Sequence, residues 1–246
     1  MVAACDIGNT NIHLGVYEGE RLMKRIIFPR DERSLESKIL KNFSYDNVSG
    51  AAIASVVPSL TQRLKKVFRR RFHVSPVIVT SAIDCGLTFG YRKPKTLGAD
   101  RIANAAGGRA RYKKNLIIID FGTATTIDIV FKNGHFAGGI ITPGIETLMH
   151  ALAERTALLK KIPIKKPGRT VGASTEECIQ SGVFNGAVAM VDGLIKKVRK
   201  EYRNKFLCVA TGGWGKIMAR QIAGINRYDQ NLCLFGILKI YYYSVT

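Results

Sequence analysis

Two short stretches of this 246-residue chain carry residue types suited to holding phosphate. Asp6-Ile7-Gly8-Asn9-Thr10-Asn11 gathers a carboxylate, amides, a hydroxyl and backbone N–H groups, between the apolar run Val2–Cys5 and the alternating run Ile12–Tyr17. Glycine and asparagine tolerate the backbone angles of a tight hairpin, and strand signals flank them on both sides. Such a mouth suits a phosphate and its metal ion. Alone, the stretch reads equally well as an ordinary surface turn. A second stretch breaks the tie: in Leu116–Phe131, Asp120 matches Asp6, Gly122 matches Gly8, and Thr123 and Thr125 fall at the polar positions of Asn9 and Asn11. Each copy then runs through an alternating strand into another turn, Tyr17-Glu18-Gly19 and Phe131-Lys132-Asn133-Gly134. A duplication at this separation implies two similar lobes and excludes a solenoid.

Other candidates stand outside the duplicated turns. Gly98-Ala99-Asp100-Arg101 opens a small-residue helix through Gly108, and Asp100 by itself reads as a helix cap. Thr211-Gly212-Gly213 closes the strand Phe206–Ala210, which fits either a nucleotide lying against the backbone or a tight turn. Ser174 and Glu177 form a capping box ahead of a long helix. Gly182 and Gly186, four apart on that helix, would let another helix approach, within the chain or from a second subunit.

The elements that must position these groups follow from periodicity. Arg21–Phe28 makes a third antiparallel strand. Asp31–Phe43 has helical spacing at Leu35, Ile39, Leu40 and Phe43. Ala51–Val57 and Pro76–Thr80 read as buried strands around the helix Ser59–Phe72, with Pro58 at its start. Asp84–Leu97 reads as a loop, Ile145–Leu159 as a helix, Pro163–Gly168 as a Pro- and Lys-rich link, and Trp214–Ile222 and Asn231–Tyr243 as helices. The resulting class is α/β, with an N-terminal lobe over 1–114 and a C-terminal lobe over 115–246, the duplicated turns gripping a polyphosphate across the cleft between them.

Composition bounds the function. With 46% hydrophobic and 23% charged residues the chain is globular. No apolar run is expected to reach the length that crosses a bilayer, and the N-terminus opens directly on a strand pattern, so the expectation is an unexported, cytoplasmic protein. The cysteines at 5, 85, 178, 208 and 233 lack C-x-x-C spacing; they suggest neither a disulfide framework nor a zinc site, and most read as core. The formal charge of +20 invites nucleic acid, but the basic residues fall in separate clusters, at 65–71, 109–114, 160–166 and 196–205, without regularly interleaved aromatics. They read as solvated faces, whose field also favours an anionic substrate.

The paired acidic-glycine turns resemble those of the superfamily of acetate and sugar kinases, heat-shock chaperone ATPases and actin, whose fold is a pair of ribonuclease-H-like lobes. A narrower resemblance rests on motifs in order: Asp6-x-Gly-Asn-Thr-Asn; Tyr91-x-x-Pro94-x-x-Leu97-Gly98-x-Asp100-Arg101; Asp120-x-Gly-Thr-Ala-Thr-Thr-x-Asp128; Gly138-Gly139 through Pro143-Gly144; Thr175 ahead of Gln180-Ser181-Gly182; and Thr211-Gly212-Gly213. Together they resemble type III pantothenate kinases over nearly the whole chain, the Tyr91–Arg101 motif being the most specific. The resemblance implies transfer of the γ-phosphoryl group of ATP to pantothenate, the first step toward coenzyme A. By position, Asp6, Ile7, Gly8, Asn9, Thr10, Asn11, Ile12 and His13 form the first ATP turn and Thr123 contacts ATP from the second. Asp100 is the base, Tyr91, Gly98, Ala99 and Arg101 line the pantothenate pocket, and Asp120 binds a monovalent cation, K+ or NH4+. Thr175 reaches pantothenate from the neighbouring subunit of a homodimer with shared sites. ATP comes with Mg2+ or a similar divalent cation. Arg101 has the right sign for a carboxylate substrate, whereas Ala3-Ala4-Cys5 is smaller than the bulkier aliphatic run usual before the first turn. The alternatives are a kinase for another small alcohol or sugar, and a non-catalytic basic regulatory protein on the same fold.

Overall fold

The computed structural model describes residues 1–32, 34–42 and 48–245, with 40–42 by backbone alone. The chain falls into two compact units, one of Met1–Lys113, Phe131–Ala137 and Asn231–Thr246, the other of Lys114–Val130 and Gly138–Gln230.

The first unit is built on a five-stranded sheet in the order β3-β2-β1-β4-β5. The strands are β1 (Val2–Ile7), β2 (Asn11–Glu18), β3 (Arg21–Pro29), β4 (Gly50–Ser55) and β5 (Val77–Ile78). β1, β2 and β3 are antiparallel, while β4 runs parallel to β1 and β5 parallel to β4. Period-two alternation sends Cys5, Ile7, Ile12, Leu14 and Val16 to one face, where they bury against Phe28 and the helices α1 (Leu35–Asn42) and α2 (Pro58–Phe72) through Leu35, Ile39, Leu64 and Phe68. Pro58 starts α2, where its missing N–H costs nothing. The expected anchor Phe43 and the side chain of Leu40 lie outside the described residues.

Helices α3 (Ala99–Tyr112) and α7 (Leu232–Val245) complete the first unit, α7 packing on α3, β1 and β4. Their crossing is close because both carry glycine there: a Cβ on Gly236 would sit 1.7 Å from the Ala103 carbonyl oxygen, and one on Gly107 2.5 Å from that of Leu232. The C-terminal helix, which the sequence places in the lobe 115–246, is therefore built into the unit that holds α3. Hydrophobicity gives the helix an apolar face, and these two glycines permit its close approach to α3. Also in this unit, the stretch read as a loop over Asp84–Leu97 contains a two-residue strand, β6 (Thr88–Phe89), and a 3-10 turn at Pro94–Thr96.

The second unit repeats the plan. Its strands lie in a six-stranded sheet, β11-β10-β7-β8-β9-β6, made from β6 with β7 (Leu116–Phe121), β8 (Ala124–Val130), β9 (His135–Pro143), β10 (Leu207–Thr211) and β11 (Arg227–Tyr228). β7 and β8 are antiparallel, and β10 is parallel to both β7 and β11. Read from the other edge, β9-β8-β7-β10-β11 reproduces β3-β2-β1-β4-β5. The first residues of β9 belong to the first unit, where Thr88 and Phe89 of β6 pair with His135 and Phe136. Helices α4 (Ile145–Arg155), α5 (Thr175–Tyr202) and α6 (Gly215–Met218) complete the unit.

Several expectations are corrected here. The helix expected to Leu159 stops at Arg155, and that expected over Trp214–Ile222 spans only Gly215–Met218. Cys178 is exposed, whereas Cys5, Cys85 and Cys208 are buried; desolvation pushes the Cys208 thiol up to about 12. α5, at 28 residues, is long and apolar enough by length and composition to cross a bilayer, contrary to the expectation. It serves as a core helix instead: Ile179, Val183, Phe184, Ala187, Val191, Ile195 and Val198 are buried along one stripe, at the helical period.

Candidate functional site

The first turn joins β1 to β2 with a Gly8 N–H to Asn11 carbonyl bond of 2.9 Å. Two further bonds hold it: Arg30 N–H donates to the Thr10 carbonyl (2.9 Å) and Val56 N–H to that of Ile7 (3.1 Å). Asn9 and Thr10 are exposed, whereas Ile7 and Ile12 point into the core, which leaves only their backbone for a ligand. Asp6 and His13 are cross-strand partners, so their side chains share one face. Arg25 stands opposite Gly15, two residues along that face, and its guanidinium reaches His13 Nδ1 at 3.3 Å. Burial and the Arg25 charge together hold the imidazole pKa down to about 4. His13 is therefore neutral at physiological pH, with Nδ1 accepting from Arg25 and the proton on Nε2.

The second turn uses the same frame with one residue fewer. Gly122 N–H donates to the Ala124 carbonyl at 3.1 Å. Asp120 faces Thr126 across the hairpin, with five residues between, where six separate Asp6 from His13. The overlay is thereby corrected beyond the turn: Thr125 takes the place of Ile12, facing Phe121 as Ile12 faces Ile7, and Ala124 takes that of Asn11. Gly144 N–H donates to the Thr123 carbonyl (3.0 Å), joined by Thr147 Oγ1 (2.6 Å), and Trp214 N–H reaches the Phe121 carbonyl (3.3 Å). Glycine is required at both flanks. A Cβ on Gly144 would lie 2.2 Å from the Gly122 carbonyl oxygen, and one on Gly212, whose φ is +85°, 2.4 Å from Asp120 Oδ1. The two motif glycines are thus the surfaces against which the turn is seated.

Asp100 is not the cap of α3. Gly98 occupies that position, and Asp100, in the first turn, folds its carboxylate back so that Oδ1 accepts from Arg101 N–H at 2.8 Å. A Cβ on Gly98 would fall 2.4 Å from that oxygen, so the glycine is what leaves room for the carboxylate. Arg101 is 5% exposed, and its guanidinium carbon lies 5.9 Å from the Tyr91 ring centroid and 5.6 Å from that of Phe136. Tyr91, Gly98, Ala99, Asp100 and Arg101 are thus brought together. Phe136 joins them unforeseen: it belongs to no motif, and β6–β9 pairing is what delivers it.

Thr175 is the exposed first residue of α5. Ser174 caps the helix by accepting from Glu177 N–H, while the Glu177 carboxylate turns to Ala173 N–H and Arg169. Behind it, buried Gln180 and Ser181 donate to the Pro163 and Thr170 carbonyls, which pins the long segment between α4 and α5. A cavity of about 280 Å³ opens beside Glu146, His150, Lys161, Pro163 and Trp214, with the indole N–H donating to Glu146 Oε1 at 3.3 Å.

As to ions, Mg2+ takes one or two carboxylates and completes its shell with substrate phosphates and water, which Asp6 fits. Among the described residues no group of three or more His, Cys, Asp or Glu side chains gathers into a metal site, and Asp120 brings a single carboxylate to the second turn.

Twice-repeated β-sheet topology, each copy opening on an Asp-Gly turn, defines the actin-like ATPase fold. A solved structure described as a conserved putative Baf family transcriptional activator from Campylobacter jejuni matches it with a TM-score of 0.61 at 21% identity, covering 97% of this chain and 96% of that one. The ethanolamine utilization protein EutJ from Carboxydothermus hydrogenoformans matches with 0.56 at 15% identity, over 97% and 89%. Sequence narrows the class. The family model described as type III pantothenate kinase matches residues 3–197, and a type III pantothenate kinase of Paramagnetospirillum magneticum is 36% identical over 251 residues, 98% of this chain and 96% of that protein. The chain belongs to the type III pantothenate kinase family.

Proposed function

We infer that the chain transfers the γ-phosphoryl group of ATP to the primary alcohol of pantothenate, giving 4'-phosphopantothenate and ADP. Family membership carries the reading, and the arrangement of Asp100 supports it. With Oδ1 engaged by Arg101 N–H, Oδ2 accepts the proton of the hydroxyl as its oxygen bonds to the γ-phosphorus and the bond from that phosphorus to the β–γ bridging oxygen breaks. Tyr91, Gly98, Ala99 and Arg101 bind pantothenate, Arg101 through the carboxylate. The backbone N–H groups and polar side chains of Asp6 to His13, with Thr123, hold the ATP phosphates, and the 280 Å³ cavity beside Trp214 offers an aromatic wall to the nucleobase. Mg2+ at Asp6 and K+ or NH4+ at Asp120 would neutralise phosphate charge.

The active form is a cytoplasmic homodimer in which Thr175 reaches the partner's pantothenate. Supporting this, among the described residues a Cβ on Gly182, Gly186 or Gly193 of α5 would meet nothing within 4 Å, which leaves room there for a second subunit. The test is ADP release with pantothenate and with a panel of sugars, with and without K+. Pantothenate alone should turn over, and Asp100→Asn should lower kcat by about 10²–10⁴-fold, the usual contribution of a positioned base. Turnover of a sugar in place of pantothenate would overturn the reading.

A further inference from the structure

Trp214, the one tryptophan of the chain, directly follows Gly212-Gly213 and lines the cavity of about 280 Å³ together with Met149, Ile162, Pro163 and Ile164. Its main chain is bonded on both sides. The N–H donates to the Phe121 carbonyl at the second turn (3.3 Å), and the carbonyl accepts from the Ile217 and Met218 N–H groups (3.1 and 3.0 Å). What remains is rotation of the side chain about its two torsions. Glu146 restrains that rotation, since its Oε1 accepts from the indole N–H at 3.3 Å. Glu146 stands in the first turn of α4, and the start of that helix is tied to the same second turn: Gly144 N–H and Thr147 Oγ1 both donate to the Thr123 carbonyl. The ring and the group that orients it are therefore both registered on the backbone of Phe121–Thr123. Elsewhere in the lining Pro163 is held by buried Gln180, whose Nε2 donates to its carbonyl at 2.9 Å. An oriented flat ring among aliphatic side chains favours a planar heterocycle, which gains stacking there and sheds water.

We propose that Trp214 binds the donor nucleotide by stacking on its base, and that Glu146 is a positioning residue that holds the indole ready for it. The inference rests on the reading of this cavity as the seat of the nucleobase. It puts the effect of both residues in the KM for ATP and not in the KM for pantothenate or in kcat.

Because the chain has a single tryptophan, its fluorescence reports on this cavity. The protein is titrated with ADP and with inorganic tripolyphosphate, which has no base, while calorimetry follows binding. ADP should quench the emission along its binding curve, and tripolyphosphate should leave it unchanged. In steady-state kinetics Trp214→Leu should raise the ATP KM about tenfold, within the range that truncating a base-stacking ring costs. Glu146→Leu should raise it about threefold, the loss of one hydrogen bond. Glu146→Gln, whose side-chain carbonyl still accepts from the indole, should stay within about twofold of the parent. In all three the pantothenate KM and kcat should hold within about twofold. Equal quenching by ADP and tripolyphosphate, equal rises in the two KM values, or an ATP KM unmoved in Trp214→Leu would overturn the role of Trp214, and equal behaviour of Glu146→Leu and Glu146→Gln that of Glu146. ADP that binds without quenching, in a chain that still phosphorylates pantothenate, sinks the placement of the base and leaves the kinase reading standing. If ADP does not bind and pantothenate does not turn over, it is the kinase reading that fails, and the inference falls with it.

Discussion

The two Asp-Gly turns share a hydrogen-bonding frame yet are held differently. In each, a loop carbonyl accepts from the residue that follows the third strand of its unit, Arg30 after Pro29 in one and Gly144 after Pro143 in the other. In each, the last residue of the first strand, Ile7 or Phe121, accepts from the segment beyond the fourth. The second turn is one residue shorter, and the chain that flanks it presses onto its backbone. The first tolerates a side chain at Arg30; the second admits only glycine at 144 and 212. A duplicated sequence motif therefore has unequal support, and the second turn is fixed by residues about 20 and 90 positions downstream.

The contrast can be broken at its strongest point first. Gly144→Ala or Gly212→Ala forces backbone apart and should cost about 3 kcal/mol of stability, the upper range for overpacking, with kcat/KM for ATP falling by about 10² or more. Urea unfolding and steady-state kinetics measure both. At the matching places of the first turn the effects should be small. Gly8→Ala meets only the Asn11 carbonyl oxygen, at 3.2 Å, and Arg30 contributes its backbone N–H, so Gly8→Ala and Arg30→Ala should each cost about 1 kcal/mol or less. Equal losses at 8 and 144 would erase the distinction.

The subtlest effect is one of pH. The His13 pKa is about 4 in the fold against an ordinary 6.5, so between those values the unfolded chain binds the proton and the fold does not. The contribution of His13 to stability is full above pH 6.5, falls as pH drops toward 4, and levels off below. His13→Gln should flatten that slope in urea midpoints recorded from pH 7 to 4. Arg25 holds its charge against the ring at 3.3 Å, and Arg25→Gln should raise the His13 pKa by removing a like charge.

Much of this plan was legible in the residues. The duplicated turns predicted two copies of one sheet, because strand alternation and turn residues are local signals. What escaped reading is non-local. The one-residue difference between the turns is invisible until strand register is seen. Asp100 at a helix start cannot be distinguished from a cap without the carboxylate's direction, which Gly98 sets. Gly144 and Gly212 were recognisable as motif members, but their purpose, contact with the backbone of a distant turn, is not written near them. Phe136 carries no motif at all, since its place depends on a two-residue strand pairing. α7 announced its apolar face and not which sheet it would cover.

That last helix bears on how the protein is made. Because Gly236 must meet Ala103 and Gly107 before α3 is seated, every residue of the second unit is synthesised before the first is complete. The segment bearing Asp100 and Arg101 then waits on a contact closed across more than a hundred residues, the kind of long-range closure that slows folding and leaves apolar surface exposed meanwhile. If α7 is lost, α3 loses the helix it packs on, and the segment bearing Asp100 and Arg101 loses that support.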